Sequence, residues 1–332
     1  MNRHVLLLLA AFALTAATRA HATQEIIGVT TTTTTGTPMP AEGYTFENNV
    51  RQISTFSTST ASYGVSAVAD NVFVRRNSTN PNHSSVWYIS SGTGTNLSGV
   101  HENLYGPMLL GNNLFSGSDN TFANTAPNNA LHTIGNIERI DFTWTSAITV
   151  SNALAFAIFE RGAATVHDSF AIAAVLSVDG SGNPTSFGSL LKVAGNWGAT
   201  NAVTDSDYRL FRYNNGDNIG ASTLNTEVQR QGIGGLLVTA ADLGLVSGTL
   251  VYGYALMSAD VTATNSSQLL DWTNALYFPT DTDATTGGGG IDLASLNGVA
   301  FAVVPEPAAL VPLVVFAGVF GFANYRRIRR SR

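Results

Sequence analysis

Three acidic residues sit where carboxylates could do chemistry. Glu138, Asp141 and Glu160 lie near the ends of short apolar runs. A pair of carboxylates facing each other across a cleft is what glycoside hydrolysis requires. Arg139 and Arg161 stand beside them in the chain, however, so solvated or arginine-paired carboxylates are the simpler reading. Two acidic turns offer oxygen ligands of the kind Ca²⁺ gathers in sixes to eights. One is Asp281, Asp283 and Asp292 around the glycine run 287–290; the other is Asp179, Ser181 and Asn183 around two glycines. Neither has EF-hand spacing, and ordinary Asx-turns account for both equally well. Ca²⁺ is the one cofactor the sequence suggests. Four tryptophans, Trp87, Trp144, Trp197 and Trp272, are candidates for stacking on sugar rings or for the core.

Other chemistry is missing. There is no Gly-x-Ser-x-Gly elbow, no His-Glu-x-x-His, no phosphate-binding Gly-x-x-x-x-Gly-Lys-Ser/Thr loop and no Gly-x-Gly-x-x-Gly turn. Ser118-Asp119-Asn120 matches a β-lactamase element by three letters, without the Ser-x-x-Lys that must accompany it. His83, His101, His132 and His167 read as loop or surface residues. In His101-Glu102 and His167-Asp168 the neighbours would point to opposite faces of a strand.

The elements that would carry these residues are strands. Ile140, Phe142 and Trp144 alternate with polar residues, Leu154, Phe156 and Ile158 with alanines, and Phe170, Ile172, Ala174 and Leu176 with small residues. Asp179-Gly180-Ser181-Gly182-Asn183-Pro184 is a dense turn signal, so Phe187 to Val193 is expected to return as a partner strand. No period near 3.6 is sustained, and no repeat is visible. Residues 43–91 continue the strand-and-turn rhythm, whereas Gly92 to Pro127 is read as long loops. Small or apolar residues on the second face of several strands imply two packed sheets. The expected fold is therefore all-β, a two-sheet antiparallel β-sandwich of jelly-roll-like form over residues 43–304. A Thr/Pro-rich spacer or edge strand precedes it at 23–42.

Both ends have their own character. Arg3 and His4 precede an apolar stretch from Val5 to Leu14, and Ala20-His21-Ala22 is a small-x-small cleavage site, which together read as a signal peptide over 1–22. At the other end stands Pro305-Glu306-Pro307. It is followed by 18 residues (308–325) that are apolar up to Asn324 and Tyr325, and then by Arg326, Arg327, Arg329, Arg330 and Arg332. A helix of that length spans roughly 27 Å, close to the ~30 Å hydrocarbon core of a bilayer, and arginines are retained on the cytoplasmic side. Without Arg3, Arg19 and the five terminal arginines, nine of the sixteen basic residues remain against all twenty-two acidic ones, a net charge near −13. That balance repels nucleic-acid phosphates and anionic lipid. The chain has no cysteine, which excludes thiol chemistry and disulfides.

The Pro-Glu-Pro triplet, apolar span and terminal arginine cluster resemble the PEP-CTERM sorting signal of Gram-negative bacteria. The resemblance covers residues 305–332. It implies export across the inner membrane, transient anchoring by the helix 308–325, cutting near Pro305-Glu306-Pro307 by an exosortase, and delivery to the cell surface, outer membrane or extracellular matrix. The body, roughly 137–304, resembles β-rich domains of unassigned function in such surface proteins. The expected role is a non-enzymatic surface or exopolysaccharide-matrix protein, with the export machinery and exosortase as partners. A carbohydrate-binding module that meets extracellular polysaccharide is the alternative, and a glycan-cleaving enzyme the third reading. A plain membrane anchor that nothing cuts is the simplest competing account of the tail.

Overall fold

The computed structural model describes residues 23–35, 41–42, 49–76, 85–89, 96–98, 110–122, 137–162, 167–198, 202–212, 221–224, 229–279, 290–296 and 299–304. The signal peptide 1–22 and the sorting segment 305–332 lie outside them. Among the described residues no helix is long and apolar enough to cross a membrane.

The chain is built of strands: β1 (Gln24–Glu25), β2 (Gly28–Thr35), β3 (Ala41–Glu42), β4 (Asn49–Ser57), β5 (Ser62–Val68), β6 (Asn71–Arg76), β7 (Ser85–Ile89), β8 (Asn96–Ser98), β9 (Leu110–Asp119) and β10 (Ile137–Thr149). There follow β11 (Leu154–Gly162), β12 (Phe170–Val178), β13 (Pro184–Val193), β14 (Val203–Arg212), β15 (Ala221–Leu224), β16 (Gln229–Thr239), β17 (Leu250–Ser258), β18 (Ala294–Leu296) and β19 (Val299–Val304). The described helix, α1 (Ser266–Leu270), is a single turn capped by the Asn265 side chain, which accepts from the Gln268 N–H at 3.1 Å.

Two antiparallel sheets result, as the alternation of apolar residues implies. The smaller has the order β13-β12-β17-β10-β6, and the larger contains fourteen strands. The turn at 179–183 returns β12 into β13 as expected. Gly92 to Pro127 differs from the loops expected there, for it supplies β8 and the ten-residue β9. Gly117 serves close approach: a Cβ there would lie 1.9 Å from the Leu293 carbonyl oxygen and 2.7 Å from the Trp87 ring.

The larger sheet closes on itself. β16, β11, β19, β5 and β4 are neighbours in that order. The first strands complete the circuit: the Ile26 N–H donates to Gly235 O of β16 at 2.9 Å, and the Ile27 N–H donates to Ser57 O of β4 at 2.9 Å. The threonine-rich segment is thus integral to the sheet, with Gly28 to Thr35 paired along the whole of β4. A β14–β16 pairing adds a second link.

Period-2 alternation then sorts side chains into layers. Odd-numbered residues of β11 (Ala155, Ala157, Phe159) join Ile26, Ile53, Phe56, Tyr63, Leu237 and Phe301 in a core inside the ring. Even-numbered ones (Leu154, Phe156, Ile158) meet Ile140, Phe142, Trp144, Ile172 and Leu256 of the smaller sheet. The far face of the smaller sheet, with Ala171, Ala173 and Met257, is covered by Leu269 of α1 and Phe278. β11 is therefore buried on both faces, which explains why it reads as a near-continuous apolar run.

Candidate functional site

The alternation along β11 changes from apolar to charged at its end. Arg161 continues the interior row begun by Ala155, and Glu160 continues the row that faces the smaller sheet. Both are buried. The Arg161 guanidinium gathers groups from five other segments. Its Nη2 donates to Asp119 Oδ1 at 2.6 Å and to Asp292 Oδ2, and its Nη1 donates to Gln231 Oε1 at 2.6 Å. Its central carbon lies 3.8 Å from the Tyr208 ring centroid and 5.5 Å from that of Trp87, within cation–π range. Burial pushes the Tyr208 hydroxyl up to about 12.

Asp292 links the two faces of β11. Its Oδ1 accepts the Asn120 N–H at 2.7 Å, while its own N–H donates to Glu160 Oε1 at 3.5 Å. The Glu160 carboxylate also accepts the Asp168 N–H, at 3.0 and 3.2 Å from its two oxygens. Burial, with the charges of Asp168 and Asp292 added, holds Glu160 well above the usual carboxylate range. Burial does the same to Asp292, although Arg161 pulls the other way.

His167 and Trp197 complete this end. Their rings stack at 4.7 Å, the Trp197 carbonyl oxygen lies 2.6 Å from His167 Nδ1, and Trp197 Nε1 donates to Asp168 O at 2.7 Å. The imidazole lies against Gly162, Gly198 and Gly234, and a Cβ on Gly234 would come within 2.3 Å of Nε2. Burial lowers the His167 pKa. His167 is thus in a loop, as expected, but is a core residue rather than a surface one. His83, His101 and His132 lie outside the described residues.

A second buried charge cluster sits on the smaller sheet. Asp141 accepts from Arg139 Nε at 2.6 Å and Nη2 at 3.1 Å, and from Arg75 Nε at 2.9 Å. Arg139 also donates to Leu269 O and lies over the Phe187 ring, and Arg75 donates to Asn183 Oδ1 at 2.9 Å. These bonds fasten α1 and the 179–183 turn to the sheet.

Other sequence candidates find ordinary places. Glu138, Asp141 and Glu160 are all buried, and the last two lie in separate clusters on different sheets, so they do not form a carboxylate pair across a cleft. Asp179 Oδ1 accepts the N–H groups of Ser181 and Asn183 at 2.8 and 2.9 Å, an Asx-turn. Asp281 and Asp283 lie outside the described residues, and Asp292 is committed to Arg161. Among the described residues no group of three or more His, Asp or Glu could hold a metal ion. Trp87, Trp144 and Trp197 expose 0%, 3% and 6% of their surface and present no open ring face to a sugar, whereas Trp272 is half-buried.

The Arg161 network escaped sequence reading because its members are 42 and 131 residues apart. The one local signal was a Glu-Arg pair at the end of an apolar run. As for chemistry, the network braces β9, β11, β14, β16 and residues 290–293 together, with its carboxylates spent on internal donors.

No known protein family matches the chain, and no curated protein matches it. Among solved structures, a chain of the T=1 particles derived from infectious bursal virus aligns at 10% identity over 86% of this chain and 78% of that chain. Its TM-score of 0.09 carries no argument.

Proposed function

We propose that this chain is an exported, non-enzymatic protein of the bacterial cell surface or exopolysaccharide matrix, sorted by an exosortase-type system. The observation that carries this reading is the order of the tail: Pro305-Glu306-Pro307, eighteen residues apolar almost to their end, then five arginines. An acidic body with a single lysine, Lys192, suits a soluble surface protein that stays clear of nucleic acid. The non-enzymatic part is supported by the carboxylates themselves. Glu160, Asp119, Asp292 and Asp141 are each occupied by arginines or backbone N–H groups, whereas a glycosidase acid must reach the oxygen of a bound sugar.

The test is the intact mass of the protein recovered from fractionated cells. A species lacking the residues after about Pro307, in the outer-surface or matrix fraction, is the expected result. A species retaining Arg332 and confined to the inner membrane would leave the tail as a plain anchor. The glycan-binding alternative rests on Trp272, the one candidate tryptophan not in the core. It predicts retention on purified polysaccharide that Trp272→Ala abolishes.

A further inference from the structure

We infer that one end of the ring is a membrane-seating surface, which rests on a neutral lipid headgroup layer while the tail is still attached. The inference rests on the reading of residues 308–325 as a membrane span, and adds what the folded body does beside it.

The described residues include eight exposed large hydrophobics, and five of them gather at the end where β19 finishes: Ile27, Val246, Leu250, Val303 and Val304, each 39% to 71% exposed. The strand register places them together. Val304 is opposite Ser62, Ser62 is opposite Ser57, and Ser57 O accepts the Ile27 N–H. On the other side of β19, Ala302 is opposite Leu154, whose carbonyl accepts from Ala240 at the start of the 240–249 loop. That loop returns to the same end: the Gly248 N–H donates to Val150 O, and Leu250 is opposite Thr149.

The surroundings are rich in hydroxyls, and the charged groups nearest Leu250 on the smaller sheet are the exposed carboxylates Asp70 and Asp179. The β4–β5 connection presents Ser59 and Thr60, and Ser247 and Thr249 stand beside Val246. Asp242 at this end has its carboxylate turned onto Thr239, accepting from the backbone N–H at 2.8 Å and the hydroxyl at 2.7 Å. Exposed apolar side chains ringed by hydroxyls suit an interface rich in headgroups, and a body of net negative charge could not be held to a bilayer by electrostatic attraction.

Chain length keeps this end of the body close to the bilayer. Only Pro305, Glu306 and Pro307 separate Val304 from the apolar run at Ala308. Fully extended, that interval reaches about 14 Å, against a headgroup layer of roughly 5–8 Å, so little water fits between body and bilayer.

The test uses full-length protein in phosphatidylcholine vesicles that contain a spin-labelled lipid quencher. Because the chain has no cysteine, Val246→Cys, Leu276→Cys and Phe316→Cys each give one site for an environment-sensitive fluorophore. Leu276 is 77% exposed and lies in the layer over the far face of the smaller sheet, so it serves as the control. Expected are strong quenching at position 316 and quenching at 246 several-fold above that at 276, unchanged by high salt. Quenching at 316 with none at 246 beyond the control overturns the seating surface and leaves the tail reading standing. An unquenched 316 overturns the tail reading and the seating surface with it.

Discussion

Replacing Arg161 by methionine is the sharpest probe of the body. The guanidinium holds Asp119 and Asp292, one buried and the other largely so. Removing one partner of a buried ion pair costs about 3–5 kcal/mol, because the surviving charges stay in low dielectric. Losing the ring contact with Tyr208 adds about 1–2 kcal/mol, and the flexible methionine side chain recovers part of this through packing. The net expectation is about 4 kcal/mol at pH 7, combining the ion-pair and ring contributions. At about 2–4 °C per kcal/mol for a body of this size, the melting temperature falls by roughly 8–16 °C in scanning calorimetry. The loss depends on pH with a definite sign. Asp292 is already held above the usual range by burial, and Arg161 is what pulls it down. Without Arg161 its folded-state pKa rises further, so stability is kept at low pH and lost as pH rises. The variant is therefore least impaired near pH 5 and most impaired near pH 8. A triple variant, Arg161→Met with Asp119→Asn and Asp292→Asn, removes the stranded charges and regains most of the loss. A single variant that loses under about 1 kcal/mol, as a surface pair would, or whose loss is flat with pH, refutes the buried network.

Further expectations concern neighbouring groups. Glu160→Gln raises the melting temperature at pH 8 more than at pH 5, because a carboxyl whose folded pKa is raised contributes stability at low pH that disappears as pH rises through that value; parallel pH curves for variant and parent would contradict this. Gly234→Ala drives a methyl into the His167 ring and costs about 1–3 kcal/mol. Adding His167→Ala recovers part of that in a double-mutant cycle, and strict additivity would place the two residues out of contact. Asp141→Asn strands Arg139 and costs about 3–5 kcal/mol in urea unfolding, whereas a cost near zero would mean that the Arg139–Asp141–Arg75 cluster is hydrated.

Legibility in the sequence followed distance along the chain. The rows Ile140-Phe142-Trp144, Leu154-Phe156-Ile158 and Phe170-Ile172-Ala174 were visible as alternations, and they form the contact between the sheets. The alanines of β11 signalled a second buried face, the inside of the ring, and Ala171 and Ala173 of β12 signalled another, the face covered by α1 and Phe278. Ring closure left no trace, because Val304 meets Ser62, and Ile26 meets Gly235, across more than two hundred residues. In sequence β9 has the look of a loop because glycine and asparagine favour turns, yet Gly117 is there so that Trp87 and Leu293 can approach. Three of the four tryptophans, equally suited to a sugar platform or a core, went to the core, and Trp87 received a cation on its ring.

The position of β19 also has a kinetic consequence. It is the last described strand, and it lies between β11 and β5, bonded to both. A chain made from its amino end cannot seal the ring until Val299–Val304 arrives. Until then β5 and β11 present unpaired edges, the usual templates for aggregation. Contacts of such long sequence separation form slowly, so the vulnerable interval is long. A chain truncated before Val299 would keep most of its core residues and still be unable to close.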